Sequence, residues 1–234
     1  MDLNFIITIF PKLLQVLPVT LQIAALSVFF GWAAGLLITF GKVSRFHALS
    51  WILSKLTTIL RGVPTIVLIY LVYFGLPVLV LRLTGVNIGG WSKQAFVIIA
   101  LAAELAVSSS EMFRSAYNSL DKGQLEAAHA IGMTRAQRFF RIILPQGLCV
   151  ILPNLGSATL SLIQGTALVY TLGIMDIMGR ARILDTNAFG LKTFEAYLAV
   201  AALYWMLSIL ITGLFRLLER RFGRGLRTVG TAQS

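Results

Sequence analysis

Charged side chains divide this chain into five long apolar stretches, and their spacing constrains the fold more than any other feature. No charge falls between Lys12 and Lys42, between Arg61 and Arg82, between Arg141 and Asp176, or between Glu195 and Arg216. A fifth stretch, about 94–116, is broken by Glu104 and ends in the polar run Ser108-Ser109-Ser110-Glu111. A helix needs roughly 20 mostly apolar residues to cross the hydrocarbon core of a bilayer. Each stretch is long enough, which predicts an all-α integral membrane protein with spans at about 15–41, 50–82, 94–116, 146–172 and 195–216. Composition agrees: 57% of the 234 residues are hydrophobic and 12% charged, with a mean hydropathy of +0.84. A soluble domain of this length could not hide that much apolar surface. The chain reads as a single domain in the plasma membrane, multi-pass, without low-complexity segments. Within the second stretch, Leu49, Ile52, Leu56 and Ile59 share one helical face, so 47–60 reads as an amphipathic lead-in.

The net charge of +11 raises nucleic acid as a partner. In a chain this apolar, it reads instead as topology and contact with anionic headgroups. Fourteen Lys and Arg fall on one side of the expected spans: Lys42, Arg45, Lys55 and Arg61, then Arg114, Lys122, Arg135, Arg138 and Arg141, then Arg216, Arg220, Arg221, Arg224 and Arg227. Six fall on the other: Lys12, Arg82, Lys93, Arg180, Arg182 and Lys192. Positive loops stay inside, so the expectation is an outside N-terminus and a cytoplasmic C-terminus. The opening Met1–Gln15 lacks a basic n-region and is read as a retained interfacial segment. Cys149 is the one cysteine, which excludes an intrachain disulfide. His47 and His129 are isolated, and no Cys/His cluster has metal-ligand spacing. No serine, histidine and acid combination suits nucleophilic catalysis.

One charged segment, 118–145, stands between the third and fourth spans. Asp121 with Gln124, and Thr134 with Gln137, have capping-box spacing, and Gly132 lies between them where a left-handed residue is wanted. Pro145 ends the second helix or starts the next. Ala127, Ala128 and Ala130 keep the first helix slim, and Glu126 sits near its favourable N-terminal end. Such a helix–turn–helix is a plain connector, a DNA reader through Arg135, Arg138 and Arg141, or a docking hairpin for a cytoplasmic motor. The bilayer beside those arginines argues against DNA.

The spacing Glu126-Ala127-Ala128, three residues, Gly132, nine residues, Ile142, one residue, Leu144-Pro145 resembles the EAA loop of ABC importer permeases. The segments 17–28, 61–77, 111–124 and 194–205 resemble the polar-amino-acid permeases of that class, and the resemblance covers nearly the whole chain. It implies a type I ABC importer permease fold with five spans and an outside N-terminus. It also implies a coupling helix from Glu126 to Gly132 that seats in a separate ATPase subunit. No G-x-x-x-x-G-K-[ST] phosphate loop is present, so ATP and Mg would be held by that partner. Further partners implied are a second permease subunit, the same or related, an extracytoplasmic solute-binding protein and an amino-acid substrate. The stretches Leu83–Trp91 and Tyr170–Ala181 look most like permeases assigned to cystine or related sulfur amino acids.

Polar groups at mid-membrane are functional or internally satisfied. Glu104 is either a protonated or paired carboxylate facing a helix neighbour or the counter-charge for a substrate ammonium. Gln164-Gly165-Thr166 either opens the fourth span to a ligand or packs helices closely. The related permeases commonly read Lys-Asp-Thr-Ser here, so this chain lacks their charged pair. Arg61 snorkels to the interface or gates the path. Pro64 loosens the second span. Tyr70 and Tyr73 line the path or pack, and Pro153 with Gly156 kinks the fourth span or packs. The segment 173–193 is a surface connector or a contact for the binding protein. The rival from another class is an ion-gradient-driven carrier with Glu104 carrying the proton.

Overall fold

The computed structural model describes residues 2–223, all of it helices and short connections; Arg224 and Arg227 of the charge count lie outside the described residues. In chain order the α-helices are α1 (Leu3–Leu14), α2 (Leu17–Lys42), α3 (His47–Arg61), α4 (Thr65–Tyr70), α5 (Leu76–Thr84), α6 (Lys93–Asn118), α7 (Lys122–Ala130), α8 (Arg135–Arg138), α9 (Leu144–Gly165), α10 (Ile177–Asn187) and α11 (Thr193–Gly223). Short π-helical turns, Leu71–Gly75 and Phe139–Ile143, join α4 to α5 and α8 to α9. A 3-10 segment, Thr166–Leu172, prolongs α9. Among the described residues, five continuous helical runs are long and apolar enough to cross a membrane: Leu17–Lys42, Thr65–Thr84, Lys93–Asn118, Arg135–Leu172 and Thr193–Phe222.

The second of these differs from the expected 50–82 stretch. Residues 47–61 form a separate helix, and the chain breaks at Gly62–Pro64 before α4 begins. Pro64 adopts φ −59°, ψ 141° at the N-cap of α4, the extended geometry its ring favours outside a helix. It therefore starts the apolar run and does not loosen a ladder within it. The wide turns fall elsewhere. Both π segments stand directly before a Leu-Pro pair, Leu76-Pro77 and Leu144-Pro145. A proline ring clashes with the carbonyl four residues back. Opening the ladder to i→i+5 relieves that clash locally.

The tightest pair is α2 on α6. Gly31 and Gly35, one turn apart, face α6 so closely that a Cβ on Gly31 would meet Leu105 Cβ at 2.9 Å. A Cβ on Gly35 would stand 3.1 Å from the Ala106 carbonyl and run into Ser109 Oγ. This small-xxx-small spacing lets backbones approach where lipid supplies no hydrophobic drive. At the end of the pair nearest α7, Thr39 Oγ1 donates to the Ser110 carbonyl at 3.0 Å. Lys42 Nζ reaches Glu111 Oε1 at 2.6 Å, with only 1% of the lysine side chain exposed. Lys42 is thus a buried staple and not a headgroup contact.

The opposite end is closed by α1 and α10. Ile9 and Leu13 of α1 are buried against the core. Asp2 caps α1 by accepting from Phe5 N at 3.1 Å and pairs with Lys192 Nζ at 2.9 Å. Lys93 Nζ donates to the Leu172 carbonyl at 2.8 Å, closing the end of the 3-10 segment. The main core lies where α2, α4, α6, α9, the 3-10 segment and α11 meet, around Leu101, Leu105, Val169 and Leu203.

Candidate functional site

A cavity of about 350 Å³ lies between α6 and α9, near the start of α4. Among its lining groups are Thr65, Glu104, Ser108, Asn154, Ser161 and Gly165. The bulk of its wall is apolar, including Leu101, Leu105 and Leu162. Thr65 Oγ1 donates to Glu104 Oε1 at 2.8 Å, which leaves the rest of the carboxylate free to accept. Glu104 is half-buried and is the single charged group in the lining. A carboxyl group in an apolar wall suits a cationic or strongly donating partner.

The structure therefore brings Glu104 and Gly165 together, with Thr65 added by the break before α4. It does not bring the rest of the sequence candidates there. Gln164 is exposed and lies outside the lining. Thr166 is fully buried, donates to the Ile163 carbonyl at 2.6 Å and lies 3.4 Å from the Tyr204 hydroxyl. Tyr70 stacks on Phe74 at 6.0 Å, and Tyr73 meets Phe96 edge-on at 5.6 Å. Arg61 and Pro64 are exposed outside the cavity. Gly156 gives room for packing: a Cβ there would meet the Phe215 ring at 2.9 Å.

Sequence reasoning missed Thr65, Ser108, Asn154, Ser157 and Ser161. A signal was available for the last three. They step by three and four residues and reach Gly165 four further on, a polar stripe on one face of an apolar helix. Asn154, Ser157, Ser161 and Gln164 are all exposed along that side of α9.

The hairpin forms as a compact unit. Gly132 has φ +78°. Its N–H donates to the His129 carbonyl at 3.0 Å, and Met133 N to the Ala128 carbonyl at 3.0 Å. This is the Schellman arrangement. A Cβ on Gly132 would touch nothing within 4 Å, so glycine is there for its backbone and not for space. Thr134 and Gln137 form both bonds of the capping box, at 3.2 and 2.8 Å. The first expected box does not form, and Asp121 is a simple N-cap. Asp121 accepts from Gly123 N at 2.8 Å, but the Gln124 side chain accepts from Gln146 Nε2 of α9 at 2.7 Å. Glu126, Ala127 and Ala130 are exposed, as is Ile131 at the turn. Ala128 is not available to a partner, because it is buried. Ile142 and Leu144 are half-buried in and after the π turn, and Pro145 is exposed. Beside the hairpin, Tyr117, Glu126, His129 and Arg138 contribute to a cleft of about 500 Å³.

Among the described residues, no group of three or more His, Cys, Asp or Glu could hold a metal ion.

The described residues thus form a helical bundle with five apolar runs, a carboxyl-bearing cavity between α6 and α9, and a hairpin on its surface. Residues 27–224 match the family of binding-protein-dependent transport system inner membrane components, and the chain belongs to that family. Among curated relatives, a probable amino-acid permease protein (YxeN) of Bacillus subtilis (strain 168) is 38% identical, over 97% of this chain and 98% of its own. The L-cystine transport system permease protein TcyL of the same organism is 32% identical, over 94% and 91%. Among solved structures, an amino acid ABC transporter crystallised with histidines superposes with a TM-score of 0.80 at 29% identity, covering 94% of this chain and 99% of that one. The methionine transporter MetNI, in an inward-facing form, shares the fold at a TM-score of 0.69 and 21% identity, covering 90% and 95%.

Proposed function

We propose that this chain is the membrane-spanning subunit of an ATP-driven importer that moves a polar amino acid across the plasma membrane. The relatives support the class, since curated sequences spanning nearly the whole chain are named for amino-acid transport. The observation that carries the mechanism is the hairpin: a Schellman turn and a capping box hold Glu126, Ala127 and Ala130 out from the bundle. Such a rigid knob suits docking onto a separate ATPase, which would hold the ATP and Mg. The chain itself does no chemistry.

In this reading the hairpin and the C-terminus face the cytoplasm and the N-terminus lies outside, which the excess of Lys and Arg on the hairpin side supports. A solute-binding protein delivers the substrate outside. A second permease subunit, the same or related, faces the polar side of α9. Asn154, Ser157, Ser161 and Gln164 are exposed there, and polar groups at membrane depth turn towards protein or water and not towards lipid. ATP-driven closure of the motor shifts α7, and the shift reaches α9 and its cavity. Glu104 receives the substrate ammonium. The substrate's own carboxylate finds no cation in the lining and relies on hydroxyl and amide donors. Cystine, named for one relative, is the first substrate to test.

Affinity co-purification from native membranes tests the reading. The wild type is expected to bring down an ATPase, and Gly132→Val to bring down much less. A well-folded wild type with no ATPase partner, whose uptake collapses when the proton gradient is dissipated, would overturn it in favour of an ion-coupled carrier.

A further inference from the structure

The turn between α10 and α11 holds an apolar group in an unusual posture. Phe189 has φ +57°, the one non-glycine residue in the left-handed region among those described. For a bulky side chain that backbone is strained. Its side chain nevertheless gains no packing, because the residue is 90% exposed. Leu191, two residues on, is 79% exposed and Phe194 67%. An exposed phenylalanine on a strained backbone is a protrusion and not a piece of core.

The protrusion is fixed from behind. Asp185 Oδ2 accepts from Thr193 Oγ1 at 2.7 Å, and Asp185 Oδ1 accepts from Lys192 N at 3.2 Å. Gly190 N bonds the Asp185 carbonyl at 3.0 Å. Lys192 Nζ turns back to Asp2 at 2.9 Å, so its charge lies with α1 while its neighbours point outward. A rigid clasp of this kind presents Phe189 and Leu191 in one orientation.

We propose that Phe189 and Leu191 are a membrane anchor that inserts into the interfacial region of the outer leaflet. Two observations select lipid over protein. First, Thr193 starts the fifth apolar run, which sets the turn at the boundary between bilayer and water. Secondly, the turn continues the outward face of α11. Phe194, Leu198, Trp205 and Ile209 lie within one sector of the helix and are exposed, while Ala199, Val200, Leu203 and Leu207 fill the core side. Helix interfaces inside membranes favour small residues; a face dominated by Phe, Leu, Trp and Ile suits acyl chains. Aromatic and apolar side chains at the end of such a face sit at headgroup level. The anchor would hold the outer end of α10 and α11 against the bilayer while the hairpin end moves. The outward placing of this end rests on the topology proposed above, but lipid insertion does not.

Spin labelling decides the matter. Phe189→Cys and Leu191→Cys, each in a Cys149→Ala background, would be labelled and the protein placed in lipid nanodiscs. Collision with oxygen, which partitions into lipid, is expected to exceed collision with an aqueous nickel chelate at both sites. Greater collision with the nickel chelate would place the turn in water and overturn the proposal. So would low collision with both, which signals burial against protein. A repeat with the solute-binding protein present separates that case: quenching that appears only on its addition would make the turn a protein-docking loop. In sealed proteoliposomes, labels on either side of the bilayer also report topology through a membrane-impermeant reductant, so an inverted orientation is distinguishable from failed insertion.

Discussion

Asp176 shows how a single buried carboxyl sets a pH response. It caps α10 by accepting from Gly179 N at 2.8 Å, is 0% exposed, and leaves Oδ2 without a partner. Burial pushes its pKa up from 3.8 to about 6. The folded state therefore binds the proton more tightly than the unfolded chain. Stability contributed by the neutral form is complete below pH 3.8, is lost as pH rises through about 6, and stays lost above. Asn keeps the cap and carries no charge. Asp176→Asn should then raise the melting temperature at pH 8, by the equivalent of up to about 3 kcal/mol. The advantage should shrink towards zero by pH 4, as thermal unfolding in detergent at several pH values would show. Glu104 carries the second prediction at this scale. Replacing it with Gln keeps the Thr65 contact and removes the charge. Uptake of an ammonium-bearing substrate into proteoliposomes should weaken by roughly 10- to 100-fold, the scale of one charged hydrogen bond. Unchanged uptake would reduce Glu104 to a structural partner of Thr65.

At the scale of an element, the hairpin is a backbone device. Gly132 needs its left-handed conformation and has open space around it. Gly132→Val should therefore cost about 1–2 kcal/mol through strain alone, and Thr134→Ala about 1 kcal/mol through loss of the cap. Both should loosen the hairpin without unfolding the bundle. Reduced ATPase co-purification at an unchanged melting temperature would confirm that separation. The Gln124–Gln146 bond belongs to this scale too. It crosses from α7 to the first turn of α9 and bypasses the π turn between α8 and α9. Gln146→Leu should lower the number of substrate molecules moved per ATP several-fold, about the effect of one net hydrogen bond. Gln124→Glu with Gln146→Lys should restore it.

Across the whole molecule, the α2–α6 seam and the open side of α9 have opposite roles. The seam is closed by Gly31 and Gly35 and stapled by Lys42. Gly35→Leu would overpack it, at a cost of about 1–3 kcal/mol, visible as a lower melting temperature. The polar side of α9 is left open. Ser157→Cys in a Cys149→Ala background should therefore cross-link to a second permease subunit in the assembled transporter. Cross-linking to nothing, with free reaction towards lipid-soluble reagents, would show that the stripe faces the bilayer.

Helix content, the number of apolar runs and the hairpin were legible in the linear sequence. Each depends on a short-range rule. Charge-free length satisfies the bilayer, capping residues recur at three-residue spacing, and Gly132 alone fits a left-handed turn. The cavity was legible only at Glu104 and Gly165. Thr65 joins them because Pro64 restarts the helix, and Asn154, Ser157 and Ser161 join them because packing sets that exposed face of α9 at the open edge of the cavity. The same packing buries Thr166 against Tyr204 and leaves Gln164 exposed beyond the lining, although Gln164, Gly165 and Thr166 are consecutive in the chain. Lys42 and Ala128 were equally opaque, a lysine inside the bundle and a buried alanine on an otherwise largely exposed helix. Periodicity tells which residues share a side of a helix. Which side meets which neighbour is settled only by packing, because glycine contacts, ion pairs and crossing helices form between residues far apart in the chain.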